Sequence, residues 1–171
     1  MEDCSVNTGE LDAVKRDLNN LEQYGRKNNL EIHGLSYAPN EDLVEKLGQV
    51  AAVLGVSKPD TSTIESVHRL PAKLGKVPAI IARFVNRSVC EHWLMNRKKL
   101  RAQKIDGHDV YINENMTAVN RAVFYKARIL GRELQFKFVW NRHGTTYMRK
   151  DESDKVHRIT CAADLDKVAP Q

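Results

Sequence analysis

The sequence predicts an α+β protein in three parts: an N-terminal coiled-coil segment (1–28), a ferredoxin-like βαββαβ domain (29–113) and a small α+β C-terminal domain (114–171). Three observations predict it. Leu11, Val14, Leu18 and Leu21 repeat at steps of three and four, which is an a/d seam. Between Asn29 and Asn113 the periodicity switches between two and 3.6 in the order β-α-β-β-α-β, the split arrangement of a four-stranded antiparallel sheet with two helices on one face. A one-sided basic helix and a hairpin then follow.

The first helix covers residues 10–24, and its seam stops at Gly25 and Asn28. Two heptads are too short for a stable isolated coiled coil, so the seam is either the stump of a longer stalk or packs back on the chain. Residues 29–35 alternate as a strand, with Leu30 and Ile32 toward the core and Glu31 and His33 away from it. Asn40 is placed as the cap of a helix whose stripe is Leu43, Leu47, Val50, Ala51 and Leu54, and Gly55 ends it. Thr63–Leu70 and Ala79–Val85 are the second and third strands, the latter apolar enough to be central. In it Ile80, Ala82 and Phe84 face the core, with Ile81, Arg83 and Val85 outward. Asn86 caps a helix with the stripe Val89, Cys90, Trp93 and Leu94, and Asp109–Asn113 closes the sheet after a turn at Gly107. Thr117 caps a helix over 118–131 whose apolar side is Ala122, Val123, Ile129 and Leu130. Leu134–Trp140 and Thr145–Lys150 form a hairpin around NRHG, Ile159–Thr160 is a short strand, and Ala162–Val168 is a last helix before Pro170.

Composition excludes several classes. With 42% hydrophobic and 29% charged residues the chain is globular, and no run of 18 apolar residues exists to span a membrane. The acidic start MEDCSVNTGE is not a secretory signal, and Cys4, Cys90 and Cys161 are odd in number and scattered. Reduced thiols in an intracellular protein, cytoplasmic or nuclear, are expected. No Cys-x-x-Cys, P-loop, G-x-S-x-G or telling carboxylate pair occurs, so neither a metal, a cofactor nor catalysis is expected.

The net charge of +5 conceals a segregation. Arg83–Lys104 holds seven basic residues against one acid, and Arg121–Lys150 eight against one, which leaves the remainder at −8. A polyanion-binding surface needs such clustering, because each neutralised phosphate releases counterions. Arg97, Lys98, Lys99, Arg101 and Lys104 end a helix in greater number than its dipole requires. Arg121, Arg128 and Arg132 share one helix face, near Lys137, Arg142, Arg149 and Lys150 on the hairpin. Arg69 and Arg83 add charge to the first sheet. Phe136, Phe138 and Trp140 share a strand parity and fit a core better than a stacking platform, whereas Tyr147 beside Arg149 is the better exposed aromatic.

The strings YINENMTAVNRAVFYKAR (Tyr111–Arg128) and FKFVWNRHGTTYMRK (Phe136–Lys150) resemble the C-terminal signature of the baculovirus few-polyhedra protein family. GRKNNLEIHGL (Gly25–Leu35), VHRL (Val67–Leu70) and IIARF (Ile80–Phe84) are similar to the same family and to the first-reading-frame proteins of LINE-type retrotransposons. The resemblance implies a coiled coil, an RRM-like domain and a small C-terminal domain, with trimerisation through the coil and binding of single-stranded RNA or DNA. The base-stacking aromatics of an RRM are missing from the first and third strands. The expected function is therefore non-catalytic, sequence-tolerant binding of single-stranded nucleic acid, RNA favoured over DNA, in a chaperone or assembly factor. The alternative is a protein-interaction or assembly protein with no direct nucleic-acid role, and a small nuclease is a distant third.

Overall fold

The structure, a computed structural model, describes residues 3–71 and 74–168, with side chains in the first helix from Thr8 onward. The Cys4 side chain and Pro170 lie outside the described residues. The elements are α1 (Asp3–Gly25), β1 (Asn29–His33), α2 (Leu43–Leu54), β2 (Ile64–Arg69), β3 (Ile80–Phe84), α3 (Arg87–Asn96) running into a 3-10 turn (Arg97–Arg101), β4 (Tyr111–Glu114), α4 (Ala118–Glu133), β5 (Phe138–Arg142), β6 (Thr145–Arg149), β7 (His157–Ile159) and α5 (Ala162–Asp166). Among the described residues they make a mixed α+β arrangement with two antiparallel sheets and five α-helices. The chain divides into two compact units, one of residues 27–115 and one of residues 1–26 with 116–171.

In the unit 27–115 the strand order is β2-β3-β1-β4, with antiparallel neighbours throughout. β1 is flanked on both sides, so Ile32 pairs with Ile80 and with Ile112. Alternation sends Leu30, Ile32, Ile80, Ala82, Phe84 and Ile112 to one face, where Leu47, Val50 and Leu54 of α2 and Cys90 and Trp93 of α3 complete the core. On the opposite face Glu31 and Ile81 are also buried, so that face is not a bare open sheet. Asp42, not Asn40, caps α2, its carboxylate accepting the Val44 and Glu45 N–H groups; Asn40 stands in the left-handed region at φ 56°. Gly55 closes the helix in the left-handed conformation. β1 stops at His33 because Gly34, at φ 89°, turns the chain against the Asp109 carbonyl. The Cys90 thiol donates to the Asn28 carbonyl, and burial pushes its pKa up to about 12, as for an inert core thiol.

In the other unit, α4 packs on a three-stranded sheet of order β5-β6-β7. Strand β5 begins four residues later than the alternation suggests. Helix α4 runs to Glu133 and closes with Gln135 at φ 58°, its N–H donating to the Arg132 carbonyl and that of Phe136 to Gly131. That closure folds Phe136 back onto the core and shifts the strand, so Val139 points inward while Phe138 and Trp140 point away from α4. The buried side of α4 is Val123, Ala127 and Gly131, with Leu130 partly buried, while Ala122 and Ile129 lie exposed. Small residues win here because the strands approach so closely: a Cβ on Gly131 would lie 2.6 Å from Val139 Cγ2. His143 and Gly144, both at positive φ, make the two-residue turn joining β5 and β6.

Helix α1 is longer than its seam, and it attaches by its polar side. Gln23 Oε1 accepts the buried backbone N–H of Thr117 at 3.0 Å and the Asn120 amide at 2.9 Å. Thr117 donates its hydroxyl to Asn19 Oδ1 at 2.7 Å, and Asn19 donates to Asn120 Oδ1 at 3.0 Å. Asn19 and Gln23 lie roughly across the helix from the seam. Leu11, Val14, Leu18 and Leu21 are therefore 50, 62, 64 and 70% exposed.

Gln23→Ala should cost about 1–3 kcal/mol, because it strands the buried Thr117 N–H. Leu18→Ala, on the exposed seam, should change stability by less than about 0.5 kcal/mol at protein concentrations too low for association. Denaturant midpoints of the two variants check this; equal effects would contradict the polar attachment.

Candidate nucleic-acid interface

The basic residues singled out in the sequence fall into three structural groups. Arg69 is an internal tie. Its Nε and Nη2 hold both oxygens of Glu41 at 2.6 and 2.9 Å, and its other N–H groups reach the carbonyls of Leu35, Ser36 and Pro78. Its five donors are engaged and it is nearly buried, so it has nothing left for a phosphate. Lys46 completes the cluster, on Glu41 and on the Ser36 carbonyl. Arg69 ahead of Lys46 holds the Glu41 carboxyl down to about 2. Arg83 is partly engaged as well, its Nε 2.9 Å from Glu65.

The second group is the turn after α3. Buried Leu100 pins it against the core while Arg97, Lys98, Lys99 and Arg101 project outward. Lys99 donates to the Leu54 carbonyl at the end of α2, and Lys104 pairs with Asp109 at 3.7 Å. Arg97, Lys98 and Arg101 have no acidic partner among the described residues. On the far face of the sheet in the same unit, His33 of β1 and Tyr111 of β4 stack with ring centroids 4.7 Å apart. Tyr111 was not singled out in the sequence, because base-stacking aromatics were sought on the first and third strands rather than the fourth.

The third group lies in the unit holding α4. Arg121, Arg128 and Arg132 are exposed on the helix face opposite Val123, Ala127 and Gly131. Exposed Tyr125 sits among them, at i+4 from Arg121 and i−3 from Arg128. It too escaped the sequence reading, although the helical spacing that grouped the arginines contains it. Arg128 lies over the Phe124 ring at 5.9 Å. On the sheet, Lys137 is tied to Asp151 and Glu152 at 3.6 and 3.3 Å, while Lys150 and Arg142 are exposed. The Glu152 backbone N–H, ahead of Lys137, lowers the Asp151 pKa.

Among the described residues no cluster of His, Cys, Asp or Glu could hold a metal, and no helix is long and apolar enough to cross a membrane. The fold and these surfaces define an α+β chain of two units, each carrying an exposed basic patch. Residues 117–169 match the family described as Baculovirus FP protein domain 2, a match that begins at the Thr117 cap of α4, runs through α5 and supports the few-polyhedra family. No curated protein matches the chain.

Arg69→Ala should cost about 1.5–3 kcal/mol, since it removes the two guanidinium hydrogen bonds to the Glu41 carboxylate and leaves it to Lys46 and the Ala38 N–H. Because the Glu41 pKa is depressed, its contribution is complete above its ordinary value of 4.5 and is lost as pH falls toward about 2. Urea midpoints between pH 6 and pH 2 should fall more steeply for the wild type than for Glu41→Gln; parallel profiles would refute the assignment.

Proposed function

We propose that the chain is a non-catalytic binder of single-stranded nucleic acid with weak sequence preference, RNA favoured over DNA. The observation that carries this reading is the α4 surface, where three arginines and a tyrosine share one exposed face that carries no acid. Arginine recognises phosphate and stacks on flat rings, and a tyrosine between arginines offers a base a place to lie. The basic turn after α3 supports the reading independently. The strand order β2-β3-β1-β4 with two helices on one face supports reading this unit as ferredoxin-like and RRM-like. The similarity to LINE first-reading-frame proteins belongs to this proposal and rests on the quoted residues alone. The reading places the protein inside the cell, in cytoplasm or nucleus, with Cys90 and Cys161 as free thiols.

Replacing Arg121, Arg128 and Arg132 together with Ala should weaken binding to a labelled single-stranded 20-mer and flatten the plot of log affinity against log salt by about 2, at about 0.7 per lost phosphate contact. An unchanged slope in a folded variant would remove α4 from the interface. Absence of salt-dependent binding by the wild type would remove the function.

Self-association through the α1 seam is the second part of the proposal. The exposed Leu11, Val14, Leu18 and Leu21 support it, and the trimer is what the resemblance implies. Two heptads bury few side chains, so assembly should depend on concentration. Light scattering should show mass rising with concentration for the wild type and not for Leu18→Asp; a wild type that stays monomeric at high concentration contradicts it.

A further inference from the structure

We infer that the outer face of the β5-β6-β7 sheet is a base-stacking platform for single-stranded nucleic acid, built on the cross-strand pair Trp140 and Tyr147. The inference rests on the nucleic-acid reading of the α4 surface but concerns a different face of the same unit. Register puts Phe138 opposite Arg149, Trp140 opposite Tyr147 and Tyr147 opposite Arg158. These side chains all point away from α4, because their neighbours Val139, Thr146, Met148 and Ile159 point toward it. A core needs only one face of this sheet, and Met148 and Ile159 already serve it. Three aromatics on the other face are thus not explained by packing against α4.

The geometry of that face suits flat anionic ligands. Trp140 and Tyr147, both half-buried, lie nearly parallel, 18° apart with centroids at 5.6 Å, an offset stack. Arg149 holds its guanidinium 4.8 Å from the Phe138 ring centroid and donates to the Glu152 carbonyl, so a flat cation is held beside the aromatic pair. Arg142 and Arg158 are exposed on the same face, and none of its outward strand positions is acidic. Aromatic faces for bases with guanidinium groups for the intervening phosphates are the two components of single-strand recognition. Bases already stacked in a duplex cannot use the platform, so it selects single strands.

Intrinsic fluorescence of the full chain tests the inference. Trp93, the other tryptophan, is 1% exposed in the core of the unit 27–115, so a ligand quenching emission reports on Trp140. A 20-nucleotide oligo-uridine should quench the wild type, and a duplex of equal length should not. Tyr147→Ala should weaken single-strand binding about tenfold with an unchanged salt slope, because a lost stack releases no counterions. Trp140→Phe keeps a ring in place and should retain binding while losing the quench; it also stands in should Tyr147→Ala fail to fold. Salt-dependent binding without quenching, or equal quenching by duplex, overturns the platform and leaves the α4 reading standing. Absence of binding to any oligonucleotide overturns both.

Discussion

The start of α4 is where this unit is held together. Thr117 caps the helix with its side chain, on the Asn120 N–H at 3.1 Å, while its own N–H and hydroxyl are taken by Gln23 and Asn19 of α1. Residues nearly a hundred positions apart thereby satisfy one another's buried polar groups, which would each be costly to leave unpaired. The direction of that attachment decides what α1 can do. Spending the polar edge inside the unit leaves the leucine seam outside it. The same anchoring fixes the rotation of α4, so that Val123 and Ala127 face the sheet and the arginines face away.

The chemistry is then distributed by period. A 3.6-residue repeat gathers Arg121, Tyr125, Arg128 and Arg132 on one side of a helix, and a two-residue repeat gathers Phe138, Trp140, Tyr147 and Arg149 on one side of a sheet. Outside these faces and the basic turn after α3, much of the charge is paired. Arg69, Arg83, Arg87, Lys58, Lys104 and Lys137 are each paired with a carboxylate. The excess positive charge is therefore concentrated on fewer residues than composition suggests, which sharpens the contrast between the patches and the rest.

Much of this was legible in the sequence, and the failures have physical causes. The alternation of Leu30, Ile32, Ile80 and Ala82 and the stripe of Leu47, Val50 and Leu54 announced the first core, because those positions are buried on one side only. Thr117 was readable as a cap, as was the NRHG turn. The cap falls on Asp42 rather than the expected Asn40, since both are capping residue types and only backbone geometry separates them. The face assignment of Phe138 and Trp140 failed because parity was counted from Phe136, which the closure of α4 removes from the strand. On α4 itself, Ala127 and Gly131 carry too little hydrophobic signal to mark a buried stripe. Arg69 was read as surface charge because its partner Glu41 lies 28 positions away.

The most direct test is photochemical crosslinking of the full chain to a single-stranded oligonucleotide carrying 4-thiouridine, with the crosslinked peptides sequenced by mass spectrometry. Adducts concentrated on Tyr125, Trp140 and Tyr147 would place the strand across α4 and the outer sheet face, as proposed. Adducts confined to residues 27–115, or none at a concentration where binding is saturated, would contradict it.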